Sequence, residues 1–199
     1  MNNKDENYRV RLACADALGR IGDRFAVAPL IEVVTDEDEK SVYLRESAVS
    51  ALGLLGDARA IDPLVSILET KKGIMDKFSF LKERAIEALS KMGFNDNERV
   101  FKALKNSLMD ESSQVRINAI EALMDSEHPK AYETIKECLE NDSNVEVRKN
   151  AMIALYNISD RSILDEVINS PNYPDLLKME AVAIIEEYEN DDDEDYEDD

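Results

Sequence analysis

Apolar and polar positions follow a helical rhythm from Val10 to Tyr188. Aligned on an apolar residue followed by a basic one, the sequence restarts at Val10-Arg11, Leu44-Arg45, Leu81-Lys82, Val115-Arg116, Val147-Arg148 and Leu177-Lys178, at spacings of 34, 37, 34, 32 and 30. Counting from each start, offsets 0, 4, 7, 8 and 11 are apolar or small, as in Leu44, Ala48, Ala51, Leu52 and Leu55, and Ser126 is the one miss. These offsets share one side of an α-helix. A second helical pattern lies between successive starts: Val27, Leu30, Ile31, Val34; then Ile61, Leu64, Val65, Leu68; and later Phe101, Leu104, Leu108; Tyr132, Ile135, Leu139; and Ile163, Leu164, Val167, Ile168. We name this helix A and the aligned one helix B.

The punctuation agrees with that reading. ALGRIGD at 17–23 returns as ALGLLGD at 51–57, and the same shift of 34 carries Ala26 to Ala60, Pro29 to Pro63 and Leu30 to Leu64. Gly22 and Gly56 follow the last apolar residue of helix B, where a left-handed residue is cheapest as glycine. Asp23 and Asp57 are placed to cap the start of helix A. Pro29 and Pro63 remove an amide donor one to two turns in and predict a kinked helix A. Alanine at offsets 4 and 7 predicts close approach of helix B to its neighbours. One helix pair has too little core alone, and stacking on the next pair completes it.

The pattern VRxxAxxALGxxGDxxAVxPL, which stands here as LRESAVSALGLLGD at 44–57, resembles the HEAT repeat in the subtype named for phycobilisome lyases. The resemblance runs from Tyr8 to Tyr188 and is strongest in the first two B copies. It implies an all-α fold, a right-handed α-solenoid of HEAT-like helix pairs over residues 1–188. It is specific for fold and unspecific for activity. The chain opens on a B helix with no A helix before it, so one side of that helix is expected to be uncapped unless Met1–Tyr8 fold over it. The segment 69–80, ETKKGIMDKFSF, is about three residues longer than its counterparts. It reads as a tolerated loop insertion with Phe80 in the core, or as a basic, aromatic binding feature.

Composition narrows the classes. The 199 residues carry 24 Lys+Arg against 44 Asp+Glu, a net charge of −20, and no Trp. Eleven of the acids fall in the last fourteen residues, EEYENDDDEDYEDD; without them residues 1–185 keep −9. Such a block cannot bury apolar surface, so 189–199 is expected to be a disordered acidic tail. An acidic body repels phosphate backbones, which argues against nucleic-acid binding. No apolar run is long enough for a bilayer, and MNNKDENYRVR lacks a signal-peptide pattern, so a cytoplasmic protein is expected. Cys14 and Cys138 fall on inward positions and read as buried thiols rather than a disulfide. With one His and two Cys, the chain cannot build a tetrahedral His/Cys zinc site alone.

A few residues have the chemistry to do more than fold. Arg11, Arg45, Arg116 and Arg148, with Lys82 and Lys178, sit in the first turn of helix B, where the dipole disfavours a cation. Their recurrence predicts a specific partner. Asp110 and Asp142, six residues ahead of Arg116 and Arg148, point to an Asp–Arg ladder between repeats; the alternative is a row reading an anionic ligand. His128, in SEHPKA, fits a helix-entry loop better than a metal or catalytic site. HEAT-type hydroxylases hold two irons through His-Glu pairs just inside helix B. The matching positions here, Leu12-Ala13, Glu46-Ser47, Glu83-Arg84, Ile117-Asn118, Lys149-Asn150 and Met179-Glu180, contain none, so that activity is not implied. HEAT-fold DNA glycosylases would require a basic groove with stacking aromatics, which an acidic chain without Trp does not offer.

What remains is a surface. The inner wall of such a solenoid is lined by B helices, whose outward offsets 2, 3, 6 and 9 carry Asp16, Glu46, Glu83, Glu87 and Glu121, and further on Ile117, Met124, Ile153, Tyr156 and Met179. The wall is acidic first and apolar later, suited to a protein partner with a basic segment beside a hydrophobic one. The expected function is a non-enzymatic protein-binding scaffold or adaptor without cofactor, catalytic or metal residues. The resemblance also raises a subunit of a phycobilin-lyase-like enzyme acting on a chromophore-bearing protein.

Overall fold

The computed structural model describes residues 6–70, 77–93 and 97–194, and the side chains of 77, 78 and 188–194 lie outside that description. The described residues form helices and no strand. The B helices are α1 (Tyr8–Ile21), α3 (Val42–Leu55), α5 (Lys77–Met92), α7 (Ser113–Asp125), α9 (Val145–Ile158) and α11 (Asp175–Glu194). The A helices are α2 (Val27–Thr35), α4 (Ile61–Glu69), α6 (Glu98–Ser107), α8 (Ala131–Asn141) and α10 (Ser162–Asn169). The chain divides into two compact units, Met1–His128 and Pro129–Asp199. In the first, α1, α3, α5 and α7 pack each on the next, with α2, α4 and α6 layered against them. In the second, α9 packs on α8, α10 and α11.

At offsets 0, 4 and 8 the predicted inward positions of α3, α5, α7 and α9 are the core, whereas Ile158 at offset 11 of α9 is 38% exposed. Leu44, Ala48, Leu52, Ala85, Leu89, Val115, Ala119, Leu123, Val147, Ala151 and Leu155 are completely shielded from solvent. A fully buried leucine of this kind contributes about 2 kcal/mol. Ser126, the polar miss, is also buried: its hydroxyl donates to the Leu123 carbonyl at 2.7 Å and accepts from the His128 amide at 3.2 Å, so no polar group is left unsatisfied there.

Helix ends follow the sequence signals. Gly22 and Gly56 close α1 and α3 in the left-handed conformation, at φ 77° and 61°. Asp23 and Asp57 accept from the Phe25 and Arg59 amides, at 2.9 and 3.0 Å. What they cap is a 3₁₀ turn, Arg24–Ala26 or Ala58–Ala60, and the α-helix proper begins only afterwards. Pro29 and Pro63 therefore occupy the first turn of α2 and α4, where no intrahelical amide bond is required. The expected mid-helix kink is replaced by a 3₁₀-to-α junction ahead of each proline.

Helix α1 departs from the pattern. Its repeat face is open: Val10 is 49% and Ile21 70% exposed, and Ala17 is exposed as well. Its buried residues are Arg11, Ala15 and Gly19, offsets 1, 5 and 9. The cause lies in the packing of successive B helices. Offset 9 of one faces offset 7 of the next, as Gly19 faces Ala51 and Gly53 faces Ala88. On α1 the side carrying offsets 0, 7 and 11 has no preceding helix among the described residues.

Other expectations resolve individually. Cys138 is buried and Cys14 half-buried, both as thiols. Phe80 is not tucked into the core: it is 43% exposed, with the Arg84 guanidinium 5.2 Å from its ring centroid. The rest of the longer connection, 71–76, lies outside the described residues. So do 195–199 of the acidic tail, and α11 continues as helix through Glu194.

Candidate functional site

Arg11, Arg45, Lys82, Arg116 and Arg148, first-turn cations of five B helices, have structural partners. Arg11 Nη2 pairs with Glu39 at 2.7 Å, both side chains almost fully buried, and Lys82 Nζ pairs with Asp110 at 2.6 Å. Each reaches forward into the loop ahead of the next B helix. Three others reach back to backbone carbonyls: Arg45 Nη2 donates to that of Asp36, which caps α2, Arg116 Nη1 to those of Asp110 and Glu111 in the connection after α6, at 2.7 and 3.2 Å, and Arg148 Nε to that of Leu139 in the last turn of α8, at 2.7 Å. A helix leaves its last carbonyls without internal donors, and Arg148 satisfies one of these on α8 and complements the dipole there. Asp110 joins two of these cations, serving Lys82 through its carboxylate and Arg116 through its carbonyl.

His128 also turns inward. It is buried, its ring stacks on Phe101 at 3.9 Å between centroids and 15° between planes, and its Nε2 lies 3.6 Å from Glu98. It fastens the segment after α7 onto α6. Among the described residues no group of three or more His, Cys, Asp or Glu is gathered as a metal ion needs, and no helix is long and apolar enough to cross a membrane.

The B-helix face of the first unit carries the predicted acids, now with their neighbours. Asp16 on α1 accepts from the Ser47 hydroxyl of α3. Arg84 on α5 bridges two of the others: its Nε donates to Glu46 of α3 at 3.0 Å and its Nη1 to Glu87 at 2.7 Å. Lys91 adds a bond to Glu87 at 2.6 Å. These donors, Lys91 foremost, hold the Glu87 carboxyl below its ordinary range. Glu83 and Glu121 differ. Burial pushes Glu83 up, with Arg84 opposing, and burial pushes Glu121 up, with the nearby Asp125 adding to it.

The structure therefore brings Glu46 and Glu87 together around one guanidinium, leaves Asp16 tied to Ser47, and sets Glu121 beside Asp125. Arg84 is the residue that sequence reasoning missed. It stands at offset 3 and Glu46 at offset 2 of the preceding B helix. The same 2-to-3 register recurs in the second unit, where Lys149 of α9 pairs with Glu180 of α11 at 2.5 Å. Aligning offsets across neighbouring helices, rather than along each one, would have found both pairs. In that second unit Ile153 and Tyr156 lie half-buried on α9, with Arg148 on the same helix 5.6 Å from the Tyr173 ring.

Comparison with known proteins follows from this geometry. The family profile for HEAT repeats matches residues 2–90 and 101–186. No curated protein matches the chain significantly in sequence. Among solved structures, the complex of CpcE and CpcF of phycocyanin lyase from Nostoc sp. PCC7120 is 23% identical, covering 94% of this chain and 70% of that one, with a TM-score of 0.48. Human deoxyhypusine hydroxylase in complex with glycerol is 18% identical, covering 94% and 82%, with a TM-score of 0.44.

Proposed function

The chain belongs to the HEAT-repeat family, and we propose that it works as a non-enzymatic, cytoplasmic protein-binding scaffold that takes its partner on the B-helix face. The observation that carries this reading is the uneven state of the acids on the first unit. Glu46 and Glu87 are already compensated by Arg84 and Lys91. Glu83 and Glu121 are held above their ordinary pKa by burial, so an approaching cation would relieve them most. A basic segment of a partner protein supplies such cations, and electrostatic complementarity then sets the encounter rate and register more than the final affinity. The half-buried Ile153 and Tyr156 of α9 offer the second unit an apolar contact of its own.

The test is capture from native lysate followed by mass spectrometry, repeated with Glu83→Lys/Glu121→Lys and with Glu46→Lys/Glu87→Lys. The first pair is expected to abolish capture while circular dichroism stays unchanged. Capture that survives the first pair would remove the B-helix face from consideration. A visible absorbance shift on mixing the chain with a bilin would instead favour a lyase subunit.

A further inference from the structure

Two helix faces are exposed on the sides that B helices elsewhere use to pack on one another. The first is on α1, where Val10 and Ile21 flank Ala17, with Arg9 and Arg20 exposed along one edge. This is the receiving side of the B–B contact: its offset 7, Ala17, corresponds to Ala51 and Ala88, which receive Gly19 and Gly53. The second is on α11, where Leu176 is 58%, Met179 70% and Val182 39% exposed, beside the exposed acids Asp175 and Glu186. This is the inserting side: Val182 and Glu186 stand at offsets 5 and 9, as Ala15 and Gly19 do on α1.

We propose that α11 of one copy of this chain packs against α1 of a second copy, as one B helix packs on the next within the fold. Each face is apolar along its centre, and the charges at the edges are opposite, arginine on α1 and carboxylate on α11. The register follows from pairs already present. Ser90 at offset 9 of α5 reaches Asp125 at offset 10 of α7, at 3.5 Å. The same step takes Glu186 to Arg20 of the second copy. The 2-to-3 register of Glu46–Arg84 and Lys149–Glu180 takes Met179 to Ala13. Offset 9 need not be glycine for this packing, since Ser90 stands there on α5 against α7. It is a heterologous contact, using a different patch on each copy, so it propagates into rows or closes into rings.

Sedimentation velocity on the full chain over a concentration series tests this. The unaltered chain is expected to grow past the dimer as concentration rises, and raised salt weakens this by screening Arg20 and Glu186. Val10→Glu/Ile21→Glu blocks one face and Met179→Glu/Val182→Glu the other. All four positions are exposed, so folding is retained. Each variant alone is expected to stay monomeric, whereas an equimolar mixture stops at the dimer, because one live face of each kind remains. Arg20→Glu is expected to weaken association about tenfold, and Glu186→Arg on the same chain to restore it. An unaltered chain that stays monomeric up to millimolar concentration, or a blocked variant that still dimerises with itself, would overturn the proposal.

Discussion

Gly53 of α3 lies against Ala88 of α5 so closely that a β-carbon on Gly53 would stand 2.8 Å from Ala88 Cα and 2.9 Å from its Cβ. Both atoms belong to the backbone or are fixed to it, so neither can swing aside. Gly53→Ala should therefore cost about 1–3 kcal/mol through overpacking. Gly56→Ala is the control: it meets open space at φ 61° and costs about 1 kcal/mol through backbone strain alone. Adding Ala88→Gly removes the 2.9 Å contact but leaves the 2.8 Å one with Cα, so it should recover part of the loss, and only in the Gly53→Ala background. Urea denaturation midpoints arranged as a double-mutant cycle measure the difference.

The Arg11–Glu39 pair makes a different prediction. With only 8% and 6% of the side chains exposed, Arg11→Met leaves a buried carboxylate without its cation and should cost about 3 kcal/mol. Arg11→Met together with Glu39→Leu removes both charges and should regain most of that loss. The readout is the same denaturation series, and a double variant no better than the single one would show that the pair is not the main contact.

Two kinds of glutamate should show opposite pH signatures. Glu83 and Glu121 have folded pKa values above the ordinary 4.5. The folded chain binds their protons more tightly, so stability is lost as pH rises through that window. Glu83→Gln or Glu121→Gln should stabilise at neutral pH and have no advantage below 4.5. Glu87 lies below 4.5, so its contribution is present above that value and fades as pH falls through the folded pKa. Glu87→Gln should destabilise at neutral pH and become silent in acid. Each effect is under about 1 kcal/mol, because solvent screens half-exposed groups. Denaturation midpoints at neutral and acid pH distinguish the two kinds.

His128 packs against Phe101 and should be missed when removed. His128→Ala loses the stacked ring and leaves a cavity, at a cost of about 2 kcal/mol, and His128→Phe should restore part of it. Amide exchange in α6 and α7 is the sensitive measurement, since the segment after α7 is fastened to α6 through this ring.

The core of the B helices was legible because a period of 3.6 repeats six times, and Leu44, Leu89, Leu123 and Leu155 are buried as that period requires. The state of α1 was not settled by it. Val10 and Ile21 carry the same pattern as Leu44 and Leu55, and only the presence or absence of a neighbour decides whether the pattern is covered. Phe80 misled for a related reason, since an aromatic residue at a helix start can lie over an arginine as readily as enter a core. Of the B-helix acids, their shared face was readable from offsets. The bridge from Arg84 to Glu46 was not readable along a single helix, because it joins positions 38 residues apart on α5 and α3, and it emerges only when the offsets of neighbouring B helices are set side by side.

The contacts at Gly19–Ala51 and Gly53–Ala88 also fix how the first unit can deform. Backbones this close cannot be pushed nearer, so any bend that would shorten the line through α1, α3 and α5 meets resistance there and must be taken up in the A-helix layer. The carboxylates mounted along that line are thereby kept from being crowded together.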